Sequence, residues 1–353
     1  MQTVLAQPTA QSFTQQLLDR CRAYHPKTPA RTFRFGNTTL TAVFVGTTNP
    51  DFFTNAIAHR EVSASPADLT VFVIDYKTSS LMLPLPCWDW QQADGHGTIH
   101  GLSEGYQGYF QQDTGVFTWI TYAEQVAIVW GTDLSNLPEW EQSFPFRYVL
   151  HKWQEPTNRY ALVHAGAVGT PTGGVLLTGA GGSGKSTSTL ACINTALQYA
   201  GDDFMLIDLE TSVGHSLYNV AKINPDNLDR FPQFQPFIAN PNAARDQKLQ
   251  LYVNQHYPAA MITDFPLKAI MLPRFSGTPH TTVRSATRAE ALKALAPSTL
   301  ALLRADHRTF QKMSRLIQQL PLFWLETGTD LTQIPELILG TLQSLSAHDS
   351  ATR

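Results

Sequence analysis

The sequence predicts a mixed α/β chain in two parts, a mostly β region over residues 1–140 followed by an α/β region over 141–353. Three observations predict it. Short β-branched and aromatic runs separated by turn pairs fill residues 31–130. From Tyr160 the pattern becomes strand, strand, glycine-rich loop, helix, strand. The 353 residues also exceed one average domain, at about 150 residues each.

The first region opens with Phe13, Leu17, Leu18, Cys21 and Tyr24 at helical spacing, which predicts an amphipathic helix over 10–24. Strands follow at 31–35 and 39–45, with Gly36-Asn37 as a tight turn between them, and at 69–75. Residues 106–112, 116–122 and 125–130 form a predicted meander, punctuated by Asp113-Thr114-Gly115 and Ala123-Glu124. Trp88, Trp90, Trp119 and Trp130 are either an aromatic binding face or core, and on short strands they read as core. No chemical motif falls in this region, and its role is left open. A helix over 144–153, with Phe146, Val149, Leu150 and Trp153 on one face, is the expected joint.

Hydrophobic residues make up 43% and charged residues 15%, a composition that excludes disorder. A net charge of −3 supplies no field to hold nucleic acid or an anionic membrane. Residues 1–150 carry 8 basic against 13 acidic side chains, and 151–353 carry 17 against 15, so the mildly basic part is the one to search for an anionic ligand. Cys21, Cys87 and Cys192 are far apart and without metal-ligand spacing. No basic and apolar leader pattern opens the chain, and no apolar run approaches 18 residues. The expectation is a cytoplasmic protein without nucleic-acid or membrane partners; self-association into a homo-oligomer is left open.

The chemistry concentrates after Tyr160. Gly179-Ala180-Gly181-Gly182-Ser183-Gly184-Lys185-Ser186 satisfies the pattern GxxxxGK[ST] in full, and Thr187 follows it. A strand over 175–178 leads in and a helix over 186–200 is predicted to lead out, with Leu190, Ile193 and Leu197 on one face. Glycines let successive N–H groups curl toward phosphate oxygens, and the helix start adds its dipole. Lys185 would reach the β- and γ-phosphates, and the Ser186 hydroxyl would ligate Mg²⁺. Asp202-Asp203 stands at the next strand start. Strands over 161–168 and 174–178, joined by a turn centred near Pro171, set His164 opposite Thr178 and so near the loop. Further strands are predicted at 249–253, 268–272 and 322–326, and helices at 288–295, 298–319 and 331–345.

At these residues the sequence resembles the HPr kinase/phosphorylase-like P-loop kinases. Their pattern stands here as Val163-His164-Ala165, then Gly174-Val175-Leu176-Leu177-Thr178-Gly179, then Lys185-Ser186, then Asp202-Asp203. The likeness covers residues 145–210 firmly, the rest of the second region loosely, and the first region not at all. It implies a kinase domain with a mixed sheet and flanking helices, using ATP and Mg²⁺ to phosphorylate a serine hydroxyl of a protein or peptide. In that reading Asp203 is the general base, Asp202 supports Mg²⁺ beside Ser186, His164 contacts the transferring phosphate, and Arg274 matches the family's downstream catalytic arginine. Lys222 and Lys248 are further cations, read as solvated surface residues. The chain departs from the family where a Glu-Ile-Arg-Gly-like stretch should follow the aspartates, reading Lys222-Ile223-Asn224-Pro225-Asp226 instead, and the C-terminal glycine-containing signature is missing. The resemblance therefore carries over neither the HPr substrate nor reverse phosphorolysis. The residues alone also admit a small-molecule kinase, a nucleotide-sensing module without phosphotransfer, and a phosphoenolpyruvate carboxykinase-like lyase. His164 and the aspartate pair weigh against the sensor, and the lack of a matching metal-ligand set weighs against the lyase.

Overall fold

A computed structural model describes residues 8–24, 28–46, 50–303 and 306–351. The chain is mixed α/β and divides into two compact units, Met1–Asn55 with Glu61–Trp153, and Ala56–Arg60 with Gln154–Arg353. The division at 153/154 lies beyond the expected boundary at 140, and a short segment from within the first region joins the second unit.

In the first unit, β1 (Ala30–Phe35), β2 (Thr38–Val45), β3 (Glu61–Val62), β4 (Leu69–Asp75), β5 (Thr98–Ile99), β6 (Tyr106–Gln111), β7 (Val116–Thr121) and β8 (Val126–Gly131) form one sheet in the order β3-β1-β2-β4-β8-β7-β6-β5. Hairpins join β1 to β2 and β6 through β8, but β4 runs parallel to both β2 and β8, so the sheet is mixed. The helix Ala10–Ala23 buries Phe13, Leu17, Leu18 and Cys21 against Val45, Ile74 and Ile128. Trp119 and Trp88 belong to this core, their rings stacked 5.7 Å apart, and the Trp119 indole N–H donates to Thr14 Oγ1 at 3.0 Å. Trp130 is half-buried against the same cluster, whereas Trp90 is 57% exposed. The last helix, Arg147–Gln154, begins three residues later than expected, after Phe146 at a φ of 60°.

The second unit is built on β9 (Tyr160–His164), β10 (Gly166–Thr170), β11 (Gly173–Leu177), β12 (Gln198–Gly201), β13 (Phe204–Asp208), β14 (Val213–Ser216), β15 (Val220–Ile223), β16 (Leu249–Tyr252), β17 (Asp264–Phe275), β18 (Thr282–Ser285) and β19 (Leu322–Thr327). Its main sheet runs β12-β10-β11-β17-β14-β13-β9, with β19 on β17 and β18 on β19. The sheet is creased. β9 gives way to β10 at Ala165 and β12 to β13 at Asp202-Asp203, while β17 pairs with β14 through its first residues and with β11 further along. At the crease the Ala165 amide donates to the Asp203 carbonyl at 2.9 Å. The helices Arg288–Leu303 and His307–Gln319 bury Leu295, Met313 and Leu316 against Val163, Met205 and Ile270. The opposite face, Val175, Leu177 and Met271, packs on Ile334 and Ile338 of the helix Gln333–Ala351. A smaller core lies under the β15–β16 pair around Tyr199, Phe234 and Leu251.

Helices of this unit also differ from expectation. The helix after the glycine-rich loop spans only Lys185–Ala191, because Asn194 takes a φ of 63° and the chain re-emerges as β12, paired with β10. Conversely, the helix Arg288–Leu303 continues through Pro297, where the sequence predicts a stop; a new helix starts at His307 with Asp306 accepting from the amides of Arg308 and Thr309.

The Ala56–Arg60 segment is tied into the second unit by polar contacts. His59 Nε2 lies 2.8 Å from Ser216 Oγ, and Arg60 Nη1 donates to both Asp264 carboxylate oxygens at 3.1 Å. Burial, and then the neighbouring Arg60 charge, push the His59 pKa from 6.5 down to about 3. The folded form thus keeps His59 neutral where the unfolded chain protonates it. Stability from this residue is complete above pH 6.5 and falls as pH drops toward 3, by about 1.4 kcal/mol per unit at most. Urea unfolding of the native chain and a His59→Asn variant across that window is expected to give a difference that narrows on acidification, and a constant difference refutes the linkage.

Candidate active site

β11 delivers the chain to Thr178, whose amide is held by the Met271 carbonyl of the parallel neighbour β17 at 3.0 Å. The loop then turns at Gly182 and Gly184, with φ values of 78° and 104°, a region that favours glycine. At Gly179 a Cβ would come within 2.4 Å of Ser183 Oγ, so a side chain there would displace the serine. Ser183 Oγ is itself buried and has no hydrogen-bond partner. Lys185 is buried, and its ammonium donates to the carbonyls of Gly179 at 2.7 Å and Ala180 at 3.2 Å. Burial lowers its pKa, opposed by the charges of Asp202 and Asp203.

The two aspartates at the crease have different surroundings. Asp202 is 1% exposed; Oδ1 accepts from Thr189 Oγ1 at 3.3 Å, Oδ2 from the Lys222 amide at 3.0 Å, and the Ser186 hydroxyl also bonds it. Burial, then the adjacent Asp203 charge, raise its pKa. Asp203 faces the cavity instead. Its Oδ2 lies 3.0 Å from Lys222 Nζ and its Oδ1 lies 3.3 Å from His164 Nε2. Burial pushes Asp203 up, but Lys222, the His164 hydrogen bond and Lys248 outweigh it and hold the carboxyl well below its usual range. The other ring nitrogen of His164, Nδ1, is buried without a partner.

His164 reaches this position by a different route from the one the sequence suggests. The turn pairs Gly166 with Leu177, a register one residue away from that expected, and the strand breaks at Ala165, so His164 is not opposite Thr178. It sits on β9 opposite Phe204 of β13, beside Asp203. Thr187 and the other loop residues 179–186 stand together as the contiguous motif requires.

Arg274 is not brought to the loop. Successive strand residues face opposite sides, and Arg274 turns toward β19, with Nη2 2.5 Å from Glu326 Oε1 and its guanidinium 4.9 Å from the Trp324 ring. The cations that line the site besides Lys185 are Lys222 and Lys248, brought by the β15–β16 pair, rather than standing as remote surface residues. No local motif marks them; the only sequence signal is that 220–223 and 249–252 are short apolar runs able to pair.

These groups enclose a cavity of about 320 Å³ with the loop residues 181–187 on one side and His164, Asp203 and the two lysines around it. The unpartnered Ser183 hydroxyl, the loop amides and the surrounding cations suit an anionic phosphate chain. Mg²⁺ takes one or two protein ligands and fills its octahedron with phosphate and water oxygens. Of the Ser186–Asp202 pair, the Ser186 hydroxyl lines the cavity and can supply one such ligand, with the buried Asp202 bonded behind it, and among the described residues no group of three His, Cys, Asp or Glu forms a fuller metal cage. Also among the described residues, no helix is long and apolar enough to cross a membrane.

No family model matches the sequence, and no curated protein matches it. Among solved structures, the Hpr(Ser) kinase/phosphatase from Coxiella burnetii is similar at 13% identity and a TM-score of 0.30, over 52% of this chain and 98% of that one.

Proposed function

We propose that the chain is an ATP- and Mg²⁺-dependent kinase of the HPr kinase-like type, acting in the cytoplasm on a serine hydroxyl of a protein or peptide. The observation that carries this reading is Asp203 at the mouth of the phosphate loop, bridged to His164 and Lys222. A nucleotide-holding module has no need of a carboxylate so placed. Loop amides 181–186 and Lys185 would bind the phosphates, and Ser186 with Asp202 behind it would hold Mg²⁺, which supplies charge neutralisation. Asp203 would accept the proton of the incoming hydroxyl at a carboxylate oxygen. His164 Nε2 would orient that carboxylate, and Lys222 would keep it ionised at neutral pH. Phosphoryl transfer asks little more of a protein than such positioning and charge.

The direct test is incubation with γ-labelled ATP, Mg²⁺ and extract of the source organism, sorting the label into protein, peptide and metabolite fractions. Label on serine of a protein or peptide supports the reading, and label in the metabolite fraction replaces it by a small-molecule kinase. Stoichiometric nucleotide binding with no labelled product overturns it.

A further inference from the structure

We propose that the nucleoside end of the bound nucleotide lies in a second cavity adjoining the phosphate loop, over the carboxyl ends of β17 and β19, with its aromatic base against Phe275. The proposal rests on the kinase reading above. That reading puts the terminal phosphate beside His164 and Asp203, which line the first cavity and not the second. A nucleoside triphosphate is a linear molecule, so its other end must leave the loop elsewhere. The second cavity, about 240 Å³, offers that place: Gly182, Gly184, Thr187 and Asn227 line both, so the two spaces meet at the loop itself.

Topology points to the same place. β11, β17 and β19 are parallel neighbours, and open α/β sheets take ligands in the crevice outside the carboxyl ends of such strands. Those ends are the phosphate loop after β11, Phe275 closing β17, and Thr327-Gly328 closing β19. Phe275 is 58% exposed, one of the few large apolar side chains left to solvent, and it lines this cavity. Because Arg274 is turned away toward Trp324 and Glu326, strand alternation directs Phe275 to the loop side. An exposed ring at that position gives a flat aromatic base a stacking partner. The larger apolar cavity of about 440 Å³ around Leu197 and Leu339 touches no residue of the phosphate loop and is not a comparable candidate.

The test is calorimetric titration of the intact chain with ATP and with inorganic tripolyphosphate, each with Mg²⁺, for the native protein, Phe275→Ala and Phe275→Tyr. Base–aromatic stacking is worth about 1–3 kcal/mol, so Phe275→Ala is expected to weaken ATP about tenfold or more. Tripolyphosphate affinity is expected to stay unchanged, and Phe275→Tyr to restore ATP. Unchanged ATP affinity in Phe275→Ala, or equal weakening of both ligands, overturns the subsite while leaving the phosphate loop intact. Binding of neither ligand by the native chain overturns the phosphate-loop reading, and the subsite with it.

Discussion

Asp203→Asn is expected to lower phosphate transfer by about 10²- to 10⁴-fold, the usual contribution of a positioned general base, while ATP still binds within a few-fold of the native affinity. The amide keeps the shape of the side chain and its contact with His164, but it cannot take a proton. It also removes the negative partner of Lys222, whose ammonium lies 3.0 Å from Asp203 Oδ2, so the cation is freer to pair with phosphate and binding does not suffer. Single-turnover transfer of labelled phosphate, read beside a calorimetric titration of ATP, separates the two quantities. Undiminished transfer removes Asp203 from the mechanism; loss of binding in step with transfer makes it a structural residue of the loop.

Lys185→Ala is expected to behave differently, weakening ATP binding by roughly 10- to 100-fold and transfer by at least as much, because charge-assisted hydrogen bonds are worth about 1.5–3 kcal/mol each. The Lys185 ammonium is buried and bonded to the Gly179 and Ala180 carbonyls, so its removal also takes a strut from the loop. Lys185→Arg keeps the charge but not the reach, and is expected to rescue binding only in part. If Lys185→Ala binds ATP as the native chain does, the loop is not where the phosphates sit.

The parts of the site that were legible in sequence are those that are continuous in the chain. The loop from Gly179 to Thr187 needs specific residue types at consecutive positions, and the strand before it follows from its apolar run. The aspartate pair was visible at a strand start, but the division of labour inside it was not, since it depends on which carboxylate the crease buries. The turn-centred register that sets His164 near the loop is annulled by the break at Ala165, and the neighbour Asp203 comes instead from pairing with β13. Local spacing does not bring Lys222 to the site, because its place depends on the pairing of β15 with β16, which a long connection separates. Arg274 misses the loop by a single residue: strand alternation presents Phe275 to the loop and sends Arg274 to Trp324. The loop helix ends before its apolar spacing predicts because Asn194, a residue type that tolerates the left-handed conformation, takes it and turns the chain into β12.

The crease has a kinetic meaning as well. The pairings that bring His164 beside the aspartate pair, β10 with β11 and β12 and β9 with β13, close within the stretch 160–208 through antiparallel neighbours and the intervening loop helix. By contrast, the parallel pairing of β17 with β19 must bridge two helices. Short closures cost less chain entropy and form sooner. The acid–base half of the site therefore belongs to the low-contact-order part of the unit, and the end of the sheet that carries Phe275 belongs to the part that is slower to close.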